Sequence, residues 1–304
     1  MKRIKKGFIS WYYNFIDKRK EKVVELTIVK YFESGHEQHY LFIECNEKAI
    51  SKQVILTNNQ IKWEKQAIIY DNCHFTREEI EINLEEEDLC IKGQVAFKGK
   101  RGTNRSKWQA GIMGPFKYLP FLQSYHDVIS LGHELVGSLT INGEEIQLND
   151  GKGYMEIEWG KEYPKVWIWS QCNHFKENDV SLMVGVTRMP ILWEYYTSFA
   201  VPVYYKGQLV VFSNYNGGQI AKLYRYKSYV HLIITQKSKM LDLKIYGEDD
   251  VEHTSARGSH MIRDVYSCQK AKMEIKMTQS NKVILEDVGY CCQLEMGGNT
   301  SKLK

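Results

Sequence analysis

The segment Gly153-Tyr-Met-Glu-Ile-Glu-Trp-Gly160 sets two carboxylates two residues apart, and Val166-Trp-Ile-Trp-Ser-Gln-Cys-Asn173 follows with two indoles and two amides at the same period. Side chains alternate across an extended strand, so Tyr154, Glu156 and Glu158 share one face while Met155, Ile157 and Trp159 share the other. Two carboxyl groups on one strand face oppose each other's ionisation, which raises the pKa of one and equips it as a Brønsted acid. In the second segment Trp167, Trp169, Gln171 and Asn173 share a face, opposed by Val166, Ile168, Ser170 and Cys172. Trp167 and Trp169 are a large apolar area to leave in water, which favours a shielded ligand cavity over a solvent-facing surface. With Gly160-Lys-Glu-Tyr-Pro-Lys165 as the connection, the two segments are expected to pair as a hairpin that carries rings, carboxylates and amides on one face.

The elements that must position these residues read as strands. Helical periodicity is scarce, whereas short alternating runs such as SWYYNFI, KVVELTIVKYF, VSLMVGV and KMLDLKIYG recur between Gly, Asn and Asp. Asn142-Gly143 tolerates the positive φ angles of a tight hairpin, and Lys206-Gly207 is a weaker signal of the same kind. Successive hairpins without helical crossovers favour up-and-down barrels, and the number of strands suits two of them. One short helix is expected near Leu122 to Leu131. The polar break Lys176-Glu-Asn-Asp179 is the expected change of lobe, giving an N-terminal lobe over 1–178 and a C-terminal lobe over 179–304.

Composition bounds the function. With 41 basic against 37 acidic side chains the net charge is only +4, so no field for nucleic acid is built in. Lys98, Lys100, Arg101, Arg105 and Lys107 crowd one Gly-containing stretch that reads as a solvated loop. The seven cysteines form no CxxC and no regular spacing, which suggests reduced thiols in a reducing compartment, neither a disulfide framework nor a zinc site. His253 with His260 and the Cys291-Cys292 pair carry no metal-site spacing either, so no metal and no cofactor are expected. The basic start is interrupted at Asp17 before any adequate apolar run, which reads against a secretory leader. No run of 18 apolar residues exists, so no membrane span is expected; with reduced thiols, a cytoplasmic protein is expected, with peripheral contact at the inner membrane face left open.

Several blocks, in order, resemble the tocopherol cyclase family: Gly7-Phe-Ile-Ser-Trp11-Tyr-Tyr, Met113-Gly-Pro-Phe-Lys-Tyr-Leu-Pro-Phe121, Tyr125-His126, Gly151 to Gly160, and Trp167-Ile-Trp169-x-Gln171-x-Asn173. The resemblance runs to about Phe175 and thins afterwards to pieces such as Gly207 and Arg257-Gly258. Glu158 stands where the family has Asp, and Ser10 where it has Gly. The resemblance implies a mostly β protein of two lipocalin-like antiparallel β-barrel lobes packed together. It also implies closure of a ring by protonation of an isoprenoid double bond, the cation being captured by a quinol oxygen. On that basis Glu158 is the first candidate for the acid and Glu156 the second. The rings of Tyr154, Trp167 and Trp169 would steady the cation, and Gln171, Asn173 and His126 would orient hydroxyls. Trp11, Tyr125 and Trp159 join the substrate-binding set through the blocks they stand in. The expected partner is a lipophilic small molecule: a prenyl quinol, a carotenoid or another lipid. Two other readings use the same barrel, a carrier that performs no reaction and a polyene hydratase that uses water as the nucleophile.

Overall fold

The structure, a computed structural model, describes residues 6–46, 50–103, 111–120, 122–176, 179–191, 194–248, 254–255 and 264–303. Arg105, Lys107, Phe121, His253, Arg257, Gly258 and His260 lie outside them, as does the middle of the Lys176–Asp179 break.

The protein is mostly β and divides into two compact units, residues 1–102 with 126–162, and residues 103–125 with 163–304. The first contains β1 (Lys6–Ile16), β2 (Val23–Glu33), β3 (His36–Cys45), β4 (Ile50–Leu56), β5 (Ile61–Trp63) and β6 (Ala67–Tyr70). It continues with β7 (Cys73–Thr76), β8 (Glu79–Glu86), β9 (Leu89–Lys98), β10 (Ser124–Ile141), β11 (Glu144–Gln147) and β12 (Lys152–Gly160). The second contains β13 (Trp167–Cys172), β14 (Val180–Ile191), β15 (Glu194–Tyr205), β16 (Gln208–Ser213) and β17 (Gln219–Tyr226). It ends with β18 (Tyr229–Gln236), β19 (Lys239–Tyr246), β20 (Thr254–Ser255), β21 (Asp264–Gln279) and β22 (Lys282–Gly297).

Each unit is one curled antiparallel sheet of lipocalin-like type. The first runs β4-β3-β2-β1-β12-β10-β9-β8-β7-β6-β5 with β11 attached to β10, and the second runs β16-β15-β14-β13-β22-β21-β19-β18-β17 with β20 attached to β21. In both, the last strand of the unit returns beside its first. The inner face of each sheet is apolar because alternate residues supply it: Trp11, Tyr13, Phe15, Leu26, Ile28, Met155 and Ile157 in the first unit, and Ile168, Cys172, Leu232, Leu243 and Leu294 in the second. The second sheet's path ends at β16, whose free backbone is met by a side chain. The Gln236 amide donates to Val211 O at 3.0 Å and accepts the Ser213 N–H at 3.0 Å, standing in for a neighbouring strand.

Both turn signals hold. Asn142 (φ 49°) and Gly143 (φ 82°) join β10 to β11, and Lys206 (φ 48°) and Gly207 (φ 73°) join β15 to β16.

Three expectations are corrected. The helix expected over Leu122–Leu131 is the start of the long strand β10, whose Val128 and Ile129 suit a pleated surface. The short helix is a 3-10 segment at Gly111–Tyr118 instead, clasped by Tyr215, whose hydroxyl donates to Ile112 O at 2.7 Å. Gly114 there has φ 52°, and a Cβ on it would sit 2.6 Å from the Tyr215 ring, so glycine is needed twice over.

Second, β12 and β13 do not form a hairpin: β12 lies between β1 and β10 in one sheet, and β13 between β14 and β22 in the other. Both edges of each strand are already filled, and Lys161–Lys165, with Pro164, lacks the positive-φ pair that a tight turn requires. Third, the unit boundary falls at 162/163, not at 178/179, and residues 103–125 belong to the second unit. The polar break at 176–179 lies in the connection between the paired strands β13 and β14, and such a break marks a turn as readily as a lobe boundary.

Candidate active site

On the face of β12 opposite the apolar core, the chain places Tyr154, Glu156 and Glu158, the parity read from the sequence. Their partners across the ladder on β1 are Asn14, Tyr12 and Ser10. On β2 the same rows continue to Glu25, opposite Asn14, and Thr27, opposite Tyr12. Every one of these eight side chains except Glu158 is buried, and Glu158 is half-buried. A polar face that faces away from its own core and is nonetheless out of water is costly unless its groups bond to one another.

They do. His126, at the start of β10, donates from Nε2 to Glu156 Oε2 at 2.7 Å, and the Tyr154 hydroxyl donates to the same oxygen. One ligand-capable atom each of His126, Glu156 and Glu158 lies within 4.8 Å of the others. The Tyr12 and Tyr154 rings meet edge-on at 6.2 Å. Burial works against a charge on His126, but Glu156, with Glu158 and Asp127 nearby, outweighs it and raises the imidazole to about 9. At neutral pH it is therefore an imidazolium locked against a carboxylate. Burial and the adjoining Glu156 carboxylate push the Tyr154 phenol well above its ordinary value, so it remains a donor.

Replacing Glu156 with Gln is expected to drop the His126 pKa from about 9 to its ordinary value near 6.5 or below, because burial is then opposed only by the more distant carboxylates. Histidine NMR titration measures it. A pKa that stays near 9 would assign the raising charge to Glu158 or Asp127.

Among the described residues, these are the only three His, Cys, Asp or Glu side chains whose ligand atoms gather closely enough to receive a cation, an imidazole nitrogen and two carboxylates. A metal ion there would have to displace the proton that His126 holds up to about pH 9.

The remaining sequence candidates separate. Trp11 and Trp159 belong to the core side of the first sheet, one residue out of phase with the polar face; Trp11 is buried in the core under the Arg77 guanidinium, 5.8 Å from its ring. Tyr125 is half-buried and its hydroxyl donates to Leu119 O. In the second unit Trp167, Trp169 and Gln171 share the face away from that unit's core and stand opposite Gly297, Glu295 and Gln293 of β22. Trp167 lies over Gly297, where any Cβ would come within 2.2 Å of the indole. Trp169, Gln171, Asn173 and Gln293 are buried. The two candidate sets thus stand on different sheets.

Sequence reasoning missed Tyr12, Asn14, Glu25 and Thr27. A signal was present: Ser10, Tyr12 and Asn14 alternate with Trp11, Tyr13 and Phe15, and Glu25 interrupts an apolar run.

A pair of lipocalin-like antiparallel sheets, one of which carries a largely buried imidazolium–carboxylate–phenol cluster on the face away from its core, defines a β protein equipped for proton chemistry. The chain belongs to the tocopherol cyclase-like family, whose profile matches residues 95–298. The match takes in the blocks from Met113 to Asn173 and extends far into the second half, where the resemblance in sequence thins; the Gly7–Tyr13 block lies before it. A probable chloroplastic tocopherol cyclase of Oryza sativa subsp. japonica is 25% identical over 119 residues, 38% of this chain and 25% of that protein. The matched stretch is thus a quarter of the length of that relative. Among solved structures, CghA in complex with Sch210972 superposes with a TM-score of 0.63 at 9% identity, covering 97% of this chain and 89% of that one. A putative AttH from Nitrosomonas europaea superposes with a TM-score of 0.60 at 14% identity, covering 96% and 92%. At such identities the likeness concerns the fold. No helix among the described residues is long and apolar enough to cross a membrane.

Proposed function

We propose that this chain is a cyclase that protonates an alkene of a lipophilic isoprenoid, with a prenylated quinol as the specific substrate. The observation that carries this reading is the cluster of His126, Glu156, Tyr154 and Glu158, with Glu156 and Tyr154 buried and His126 and Glu158 half-buried. Family membership supports the reaction class.

Glu158 is the proton donor. Both hydrogen bonds above end on Glu156, which therefore serves as an acceptor and holds His126 and Tyr154 in place. An imidazolium with a pKa of about 9 is weaker as an acid than an ordinary carboxyl group by roughly five units, so it is poorly suited to protonating an alkene. In the reaction, the Glu158 proton forms a C–H bond at one alkene carbon and leaves a tertiary cation at the other. The Tyr154 and Tyr12 ring faces steady that cation. The quinol oxygen then bonds to it and loses its proton to the Glu158 carboxylate, so the product is an isomer of the substrate. In the second unit, Trp167, Trp169, Gln171 and Asn173 are proposed to hold a lipophilic ligand through their rings and amides.

Incubation of the purified protein with a prenylated quinol in deuterated water tests this. The expected result is an isomeric product carrying one deuterium on the carbon beside the new C–O bond. A product heavier by one water identifies a hydratase, and recovery of unaltered, undeuterated quinol from a stable complex identifies a carrier. Either outcome removes the cyclase reading for this substrate.

A further inference from the structure

The outer face of the second sheet carries a row of tyrosines that the catalytic reading does not use. Tyr226 on β17 stands opposite Tyr229 on β18, Tyr229 opposite Tyr246 on β19, and Tyr246 opposite Lys272 on β21, one straight row across four strands. The neighbouring row on the same face runs Tyr224, His231, Lys244, Glu274. The opposite face of these strands is core, formed by residues such as Val230, Leu243 and Ile245. Tyr226 is 61% exposed and Tyr224 49%, and Tyr246 and Tyr290 are also open to solvent. Tyr229 lies with its ring 5.1 Å from that of Tyr246 and 6.2 Å from that of Tyr224, so these three rings are continuous, and Tyr226 extends their row on the ladder.

Lysines are threaded through the patch. Lys227 sits 5.9 Å from the Tyr226 ring and Lys272 5.2 Å from the Tyr246 ring. The nearby carboxylates are engaged locally: Asp242 receives His231 at 2.9 Å, and Glu274 receives Lys272 at 2.8 Å and Tyr246 at 3.1 Å. Lys222, Lys227 and Lys244 then leave the face positive. Tyrosine has an apolar body and a polar tip, the combination enriched where a protein meets lipid headgroups, and lysine adds attraction to anionic lipid.

We infer that this face docks the protein on an anionic lipid bilayer, with the tyrosine rings at headgroup depth and the lysines against phosphates. A nucleic acid would also attract the lysines, but a net charge of only +4 gives it no broad basic surface. The inference uses none of His126, Glu156 or Glu158, so it stands or falls separately from the proposed reaction.

Co-sedimentation with phosphatidylcholine vesicles containing about 30% phosphatidylglycerol tests it. The wild-type protein is expected to bind these vesicles, to bind pure phosphatidylcholine more weakly, and to lose affinity as salt rises. Tyr224→Ser, Tyr226→Ser and Lys227→Ser combined should reduce binding by about tenfold or more, about fivefold from the lost lysine charge and the rest from the two lost rings. These positions are exposed, so the variant should fold, and circular dichroism confirms it. Glu158→Gln should bind vesicles like the wild type. Failure of the wild type to sediment, or equal sedimentation of the triple variant, overturns the inference. Concentration-dependent self-association that the triple variant abolishes, without vesicle binding, would assign the face to a second copy of the chain.

Discussion

Glu158→Gln is expected to lower turnover of a prenylated quinol by roughly 10²–10⁴-fold, the effect of removing a positioned general acid. The amide keeps the size and hydrogen-bonding capacity of the carboxyl group and loses only the transferable proton. Glu158 is half-buried and lies on the polar face, away from the apolar core, so the fold should be retained. Product formation is measured beside a melting curve, so that loss of chemistry is separated from loss of protein. Glu156→Gln acts differently, because Glu156 holds His126 and Tyr154. Its activity loss should come with the fall in the His126 pKa described above. Wild-type turnover in Glu158→Gln with none in Glu156→Gln would exchange the two roles. Activity in both single variants and in the double variant would end the carboxylate mechanism.

Acidification is expected to destabilise the protein steeply, through a histidine that the proposed reaction does not use. His133 lies on the core side of β10 with its ring 4.5 Å from that of Phe97. The Ser130 hydroxyl donates to Gly132 O, so its lone pair accepts the His133 Nδ1–H at 3.0 Å. The other nitrogen, Nε2, has no partner among the described residues and lies against Gly153, where a Cβ would come within 2.2 Å of it. A proton on Nε2 would be a buried charge with no acceptor. Burial, helped by Lys100, accordingly lowers its pKa to about 3.

A depressed histidine pKa contributes stability that is fully present above the unfolded value of about 6.5 and is lost as pH falls through the window down to about 3. The slope is about 1.4 kcal/mol per pH unit and the total is of the order of 5 kcal/mol, comparable with the net stability of many domains. His126 works in the opposite sense. Its raised pKa gives stability that is present below about 6.5 and is lost as pH rises through about 9. Urea midpoints measured between pH 4 and pH 7 should therefore show a flatter dependence in His133→Leu than in the wild type. Parallel curves would mean that His133 is not the group that titrates.

Periodicity is legible along the chain without its fold. Alternation identified the strands, assigned Tyr154, Glu156 and Glu158 to one face, and set Trp169, Gln171 and Asn173 against Cys172; Asn142-Gly143 and Lys206-Gly207 fixed two hairpins. These features are local, a matter of which side chains one extended backbone presents and which residues tolerate positive φ.

Which strands became neighbours is a property of the folded chain. β12 and β13 are close in sequence and end in different sheets, because ladder partners are chosen by the whole set of available edges. The same choice brought Tyr12, Asn14, Glu25 and Thr27, distant in sequence, into the rows of Glu156 and Tyr154, and it moved Trp11 and Trp159 to the core side through a shift of one residue in parity. His126, thirty residues from Glu156 along the chain, owes its bond and its pKa of about 9 to that pairing. A charge's environment is a sum over neighbours in space, and no spacing along a single chain encodes it.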